Sequence, residues 1–145
     1  MIIRQMVIED IPELAQLYKL FWNEDSCIET MYNQFSKLCE RDTHVLLSAV
    51  ENEKVIGSVM GVICGELYGS CEPFMVLENM IVDSNYRNKG VGRALISELE
   101  EIATKKGCTQ IILVTEADRI DACNFYESVG YNSNTHKGFK KKLKY

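Results

Sequence analysis

The chain has 145 residues, 46% of them hydrophobic, with two prolines and a net charge of −5. That length suits one domain spanning 1–145 around a single core, and the composition argues against disorder and against a nucleic-acid binder. Its six cysteines form no Cys-x-x-Cys pair and its histidines are only His44 and His136. Reduced, packing cysteines in a cytoplasmic protein are therefore expected, and no metal site.

Ile2 to Ile8 reads as a first strand. Arg4, Glu9, Asp10 and Glu13 break up the first 25 residues, which argues against a signal peptide or membrane span. Asp10 has the look of an N-cap, with Glu13 as its capping-box partner and Pro12 in the first turn. Leu14, Leu17, Tyr18 and Phe21 then fall on one stripe. A second helix is expected from about Ser26 to Glu40, with Cys27, Met31, Phe35 and Leu38 at helical spacing. His44 to Val50 and Lys54 to Ile63 read as strands joined through Glu51-Asn52-Glu53.

Cys64 to Pro73 holds Gly65 and Gly69 and reads as a loop, and Phe74 to Val82 as a buried strand. A helix then carries Val91, Ala94, Leu95, Leu99, Ile102 and Ala103 at three- and four-residue steps, with Gly107 as its natural stop. Thr109 to Thr115 is expected as a strand, Asp118 to Ser128 as a short helix ending at Gly130, and Gly138 to Tyr145 as a last strand. The predicted class is mixed α/β.

Tyr86-Arg87-Asn88-Lys89-Gly90-Val91-Gly92-Arg93-Ala94-Leu95 joins a strand to a helix through two glycines and three basic residues. The first N–H groups of a helix have no intrahelical partner, and the helix dipole adds positive potential there. Glycine lets a phosphate approach the backbone, so the stretch describes an anion site. A P-loop would require Gly-Lys-Ser/Thr, which the chain lacks. A Rossmann turn would require a small residue where Leu95 stands. The pattern Arg/Gln-x-x-Gly-x-Gly/Ala is met by Arg87, Gly90 and Gly92.

With that pattern the segment Leu77 to Gly92 resembles the GNAT superfamily of acyl-CoA-dependent N-acetyltransferases. It departs from many members at Ser84, where they carry proline. Ala122, followed by Asn124-Phe125-Tyr126-Glu127-Ser128-Val129-Gly130-Tyr131, resembles a second segment of that family, and together the two cover most of residues 74–145. The resemblance implies a central, mostly antiparallel twisted sheet of six to seven strands flanked by about four helices.

The resemblance also implies acetyl-CoA as co-substrate. Its pyrophosphate would lie on Arg87, Asn88, Lys89, Gly90, Val91, Gly92 and Arg93, its pantetheine arm along Ile81 and Val82, with Asn124 as a further contact. The backbone N–H of Met80 would polarise the thioester carbonyl, and Tyr126 would be the acid near the CoA sulfur. Glu78 is the candidate base: a carboxylate inside an apolar run is costly to bury without a role or partner, and polyamine acetyltransferases of the family carry glutamate here. No Cys-His or Ser-His pairing suggests a covalent enzyme intermediate, so direct transfer in a ternary complex is expected.

Charge is uneven, with −9 over residues 1–83 and +4 over 84–145. Phe21, Trp22, Glu24 and Asp25 place aromatic rings beside carboxylates between the first two helices, which suits a small cationic amine, a polyamine or an aminoglycoside. Glu66, Glu72 and Glu116 could extend that surface. The lysine cluster from Lys137 to Lys144 reads as a solvated strand. No membrane partner is expected, and a homodimer is left open. Alternatives are a protein N-terminal or lysine acetyltransferase, and a non-catalytic acyl-CoA-binding module.

Overall fold

Between His44 and Val82 the chain is rich in Val, Ile, Leu and Met, and it forms three long antiparallel strands in succession. A computed structural model of the protein describes residues 1–144. β1 (Ile2–Gln5) pairs with β2 (His44–Glu51), β2 with β3 (Lys54–Cys64), and β3 with β4 (Phe74–Val82), all antiparallel. β5 (Ile111–Ile112) lies parallel to β4, and the sheet order is β1-β2-β3-β4-β5. The helices are α1 (Ile11–Trp22), α2 (Ile28–Cys39), α3 (Val91–Lys105) and α4 (Ile120–Ser128).

The described residues thus hold five strands rather than six to seven. The strand expected over Thr109 to Thr115 contracts to Ile111–Ile112. Residues 138–144 pair with nothing as a strand, and Tyr145 lies outside the described residues. The reason is visible in burial: Phe139 is 91% and Leu143 86% exposed, so these apolar side chains have no face to cover. The chain forms two compact units, one to Ile112 and one from Leu113 onward. The first holds the sheet and α1 to α3; the second holds α4.

In the first unit α3 lies against one face of β3. An added Cβ at Gly57 would stand 2.9 Å from the Ile81 carbonyl oxygen, and one at Gly61 2.7 Å from the Met75 sulfur and 2.8 Å from Leu99. Glycine at both positions lets the helix sit close, and Leu95, Ile96 and Leu99 are all but fully buried there. α1 packs against the opposite face, where Leu14 and Leu17 meet Val55 and Ile81. The predicted stripes hold for both helices. α2 differs: none of its residues is fully buried.

The capping box expected at Asp10 and Glu13 does not form. Asp10 is buried and spends its carboxylate on Arg4 (2.7 Å to each oxygen), the Ser48 hydroxyl (2.8 Å) and the Val7 N–H (3.0 Å), tying β1 to β2 and to the start of α1. Glu13 instead accepts from the Val55 N–H at 2.6 Å, a partner 42 residues away. Both side chains were free to cap; tertiary partners outbid the local ones. Gly107 does stop α3, with φ of 76° and the Gly107 and Cys108 N–H groups donating to Thr104 and Ala103.

Candidate active site

Met75 and Asp83 reveal how β4 is built. The Met75 N–H donates toward the β5 side, to Gln110, whereas the Asp83 N–H donates toward β3, to Ile56. Backbone groups alternate sides along a strand, so two odd-numbered residues facing opposite ways require one extra residue between them. That residue sits at a bulge: Ser58 pairs with Ile81 and Met60 with Glu78, leaving Asn79 and Met80 opposite Val59. Asn79 takes a left-handed backbone with φ of 50°, which asparagine tolerates better than most residues. Past the bulge, alternation turns Ile81 toward β3 and Val82 toward the other edge. β5 pairs only with Met75 and Val76, so among the described residues no strand pairs with this edge beyond Val76.

The bulge also corrects the argument for Glu78. Its side chain is exposed, so no burial cost attaches to it. Two polar residues in succession, Glu78 and Asn79, mark the place where alternation fails. Glu78 stands opposite Met60, and opposed residues share a face. That is the face covered by α1 and α2.

β4 leads directly into the basic loop. Asp83 is buried, accepts the Asn85 N–H at 2.9 Å and is 3.1 Å from the Lys54 ammonium. The Asn85 N–H, with Lys54, outweighs burial and holds the Asp83 carboxyl below the usual range; the same pairing raises Lys54. Lys54 and Lys89 both approach the Tyr86 ring, at 5.9 and 5.2 Å from its centre. Arg87 donates from Nε to the Val82 carbonyl (3.3 Å) and lies 5.9 Å from the Phe21 ring centre. Asn88 and Gly90 are both left-handed, with φ of 58° and 84°. α3 begins there, its first helical bond running from the Ala94 N–H to the Gly90 carbonyl. Lys54, Asp83 and Tyr86 had no assigned role in the sequence. Asp83-Ser84-Asn85 was a readable signal for an Asx turn, but Lys54 is 29 positions away.

The first-helix end brings Phe21 against this loop: Phe21, Ile81, Val82 and Arg87 line a small hollow of about 50 Å³. Trp22 packs edge-on to Phe21 at 4.9 Å and is 46% exposed. Glu24 and Asp25 are exposed, and Asp25 pairs with Lys19 at 2.7 Å. A larger cavity of about 170 Å³ lies between α1, α2 and the sheet, reaching from Leu14 and Phe35 to Met60 and Asn79. On its wall Tyr18 lies beside Ser58, and burial, opposed by that neighbouring hydroxyl, raises the phenol above its ordinary value.

In the second unit, Asn124 is exposed on α4 and Tyr126 is half-buried, its ring 5.4 Å from Phe125 and 6.0 Å from Tyr131. Gly130 (φ 100°) stops α4 as Gly107 stops α3, with Tyr131 donating to the Tyr126 carbonyl.

The model of the acetyltransferase (GNAT) family matches residues 11–131. The chain belongs to that family. It is similar to glucosamine 6-phosphate N-acetyltransferase 1 of Dictyostelium discoideum, 32% identical over 69% of this chain and 63% of that protein. It is also similar to the [ribosomal protein bS18]-alanine N-acetyltransferase of Escherichia coli strain K12, 37% identical over 41% of this chain and 40% of that one. The matches thus span less than two thirds of these curated relatives. The structure of glucosamine-6-phosphate N-acetyltransferase from Arabidopsis thaliana superposes with a TM-score of 0.86, covering 99% of this chain and 98% of that one at 23% identity, which shows the shared fold.

GNAT proteins use acetyl-CoA as co-substrate, and the first unit fits that molecule. An added Cβ at Gly90 would meet nothing within 4 Å, so the backbone there is open to a ligand. Arg87, Asn88, Lys89 and Arg93 are exposed around it. The α3 N-terminus carries the positive end of a helix dipole, which favours an anion. Among the described residues no helix is long and apolar enough to cross a membrane.

Proposed function

We propose that this GNAT protein transfers an acetyl group from acetyl-CoA to the primary amine of a small cationic molecule, by direct attack in a ternary complex. One observation carries the reading: β4, whose edge beyond Val76 β5 does not pair, is followed after the short Ser84–Tyr86 helical turn by the left-handed Asn88 and Gly90 and the start of α3. A pantetheine arm can lie along that edge as an added strand, with the pyrophosphate on the N–H groups from Asn88 to Arg93. Asn124 is a further proposed contact.

When bound, acetyl-CoA supplies an activated thioester carbonyl. An alkyl amine has a pKa of about 10.4 and is almost wholly protonated at neutral pH, so the attacking nitrogen must first lose a proton. Glu78 accepts it, directly or through water. The Met80 N–H, in the bulge of β4, donates to the carbonyl oxygen as negative charge develops. Tyr126, assigned by its motif, donates its hydroxyl proton to the departing sulfur. Phe21, Trp22, Glu24 and Asp25 form the proposed approach for the cationic acceptor, with Asp25 already neutralised by Lys19. Six free cysteines support residence in the cytoplasm.

The test is an acceptor screen that follows free CoA from acetyl-CoA with amines, amino sugars, amino acids and peptides. Amine-dependent CoA release is expected. Release with none of them would overturn the reading, and faster release with peptides would replace a small acceptor by a protein one.

A further inference from the structure

We propose that the cavity between α1, α2 and the sheet holds the non-reacting body of the acceptor. On this assignment the preferred substrate is a monoamine carrying a phenyl-sized apolar group, rather than a polyamine or an amino sugar. The inference rests on the acetyl-transfer reading and names the substrate class of that same site.

Three features carry it. The first is chemistry: nine of the thirteen lining residues are apolar, Leu14, Met31, Phe35, Leu38, Leu46 and Met60 among them, and no charged side chain contributes. A polycation or a sugar would find only Tyr18, Gln34, Ser58 and Asn79 as polar partners and no carboxylate, whereas the thioethers of Met31 and Met60 adapt to an apolar guest. The second is size. The volume of about 170 Å³ matches the scale of an apolar cavity, about 150 Å³, that stays dry and takes up benzene. The third is position. Met60 and Asn79 belong to the wall, and Glu78 lies opposite Met60 beside Asn79 in the bulge. A ring seated in the cavity therefore leaves its aminoethyl arm close to the proposed base and to the bulge of β4.

α2 is what keeps the space available. Its Met31, Phe35 and Leu38 face the sheet, yet no residue of the helix is fully buried. The acidic connection after α1 is a weak rival for the acceptor body, since Asp25 is committed to Lys19 at 2.7 Å.

The experiment compares kcat/KM at saturating acetyl-CoA for 2-phenylethylamine, ethylamine, spermidine and glucosamine. At least a tenfold preference for 2-phenylethylamine over each of the others is expected. Equal values for 2-phenylethylamine and ethylamine, or a faster rate with spermidine or glucosamine, would overturn the assignment. Phe35→Ala enlarges the cavity and should move the preference to 2-(1-naphthyl)ethylamine; a folding defect depresses all amines and does not reverse their order. An unchanged order in the folded variant also overturns the assignment. Should no amine release CoA, the acetyl-transfer reading fails. Calorimetric titration with 2-phenylethylamine then tests the cavity by itself: saturable binding weakened in Phe35→Ala supports it, and no binding overturns it.

Discussion

The two faces of the central sheet are packed on different terms. On the α3 face, glycine at positions 57 and 61 lets a helix come so close that a single added carbon would stand within 3 Å of a neighbour. On the other face α1 is anchored, but α2 buries no residue completely and leaves a cavity of about 170 Å³. The tight face holds still the helix whose N-terminus forms the proposed phosphate cradle. The loose face borders Glu78 and the bulge, where the proposed acceptor would enter. Rigidity thus serves the part of the reaction common to the family, and free space serves the part that distinguishes its members.

Gly61→Val should break the tight face. Its extra carbons collide with Met75 and Leu99, and overpacking of this kind costs about 3 kcal/mol. Leu38→Ala on α2 should cost about 1 kcal/mol or less, because that side chain is only part-buried. Equal losses in urea denaturation would remove the contrast.

Asp10→Asn should lower stability at neutral pH by about 2 kcal/mol, since it removes the charge that a part-exposed Arg4 pairs with and weakens the bonds from Ser48 and Val7. Burial pushes the Asp10 carboxyl up, but the bonds from Arg4, Val7 and Ser48 prevail and its pKa is lowered on folding. A carboxyl lowered in the folded state stabilises fully above its unfolded value of about 3.9, and that contribution disappears as pH falls through the lower folded value. Urea midpoints should therefore fall below about pH 4 in the natural protein and change less with acid in Asp10→Asn. Asp83 titrates with the same sign.

Glu78→Gln tests the loose face directly. Turnover should fall about a hundredfold, most at low pH, where more of the amine remains protonated without an acceptor for its proton. Tyr126→Phe should lower turnover with little change in acetyl-CoA affinity. An unchanged pH–rate profile in Glu78→Gln would return that residue to a structural role. Smallest is the cradle itself: Gly90→Val, at a φ of 84°, should weaken acetyl-CoA about tenfold by calorimetry. Equal affinity in the folded variant would remove the cradle.

The motif from Arg87 to Gly92, the apolar stripe of α3 and its stop at Gly107 were legible because each depends on neighbours a few positions away. Helix periodicity, glycine conformation and orphan N–H groups are local physics. The failed capping box shows the limit. Asp10 and Glu13 have the right spacing, yet Arg4, Ser48 and the Val55 N–H offer better partners once β1, β2 and β3 assemble. The strand expected after Gly138 fails for a related reason, since alternation creates a strand only where a sheet face is available to bury it.

The class of fold, the helix that starts at the phosphate loop and the membership of a cofactor-using family were thus determined by the sequence itself. Only the tertiary structure decided that Glu78 is exposed, that Asn79 and Met80 form a bulge against Val59, and that an apolar cavity adjoins it. Those depend on pairing register and on how closely helices approach the sheet. Register is set by where one extra residue falls against β3, and a bulge has no signature of its own beyond a lapse in alternation at Glu78 and Asn79.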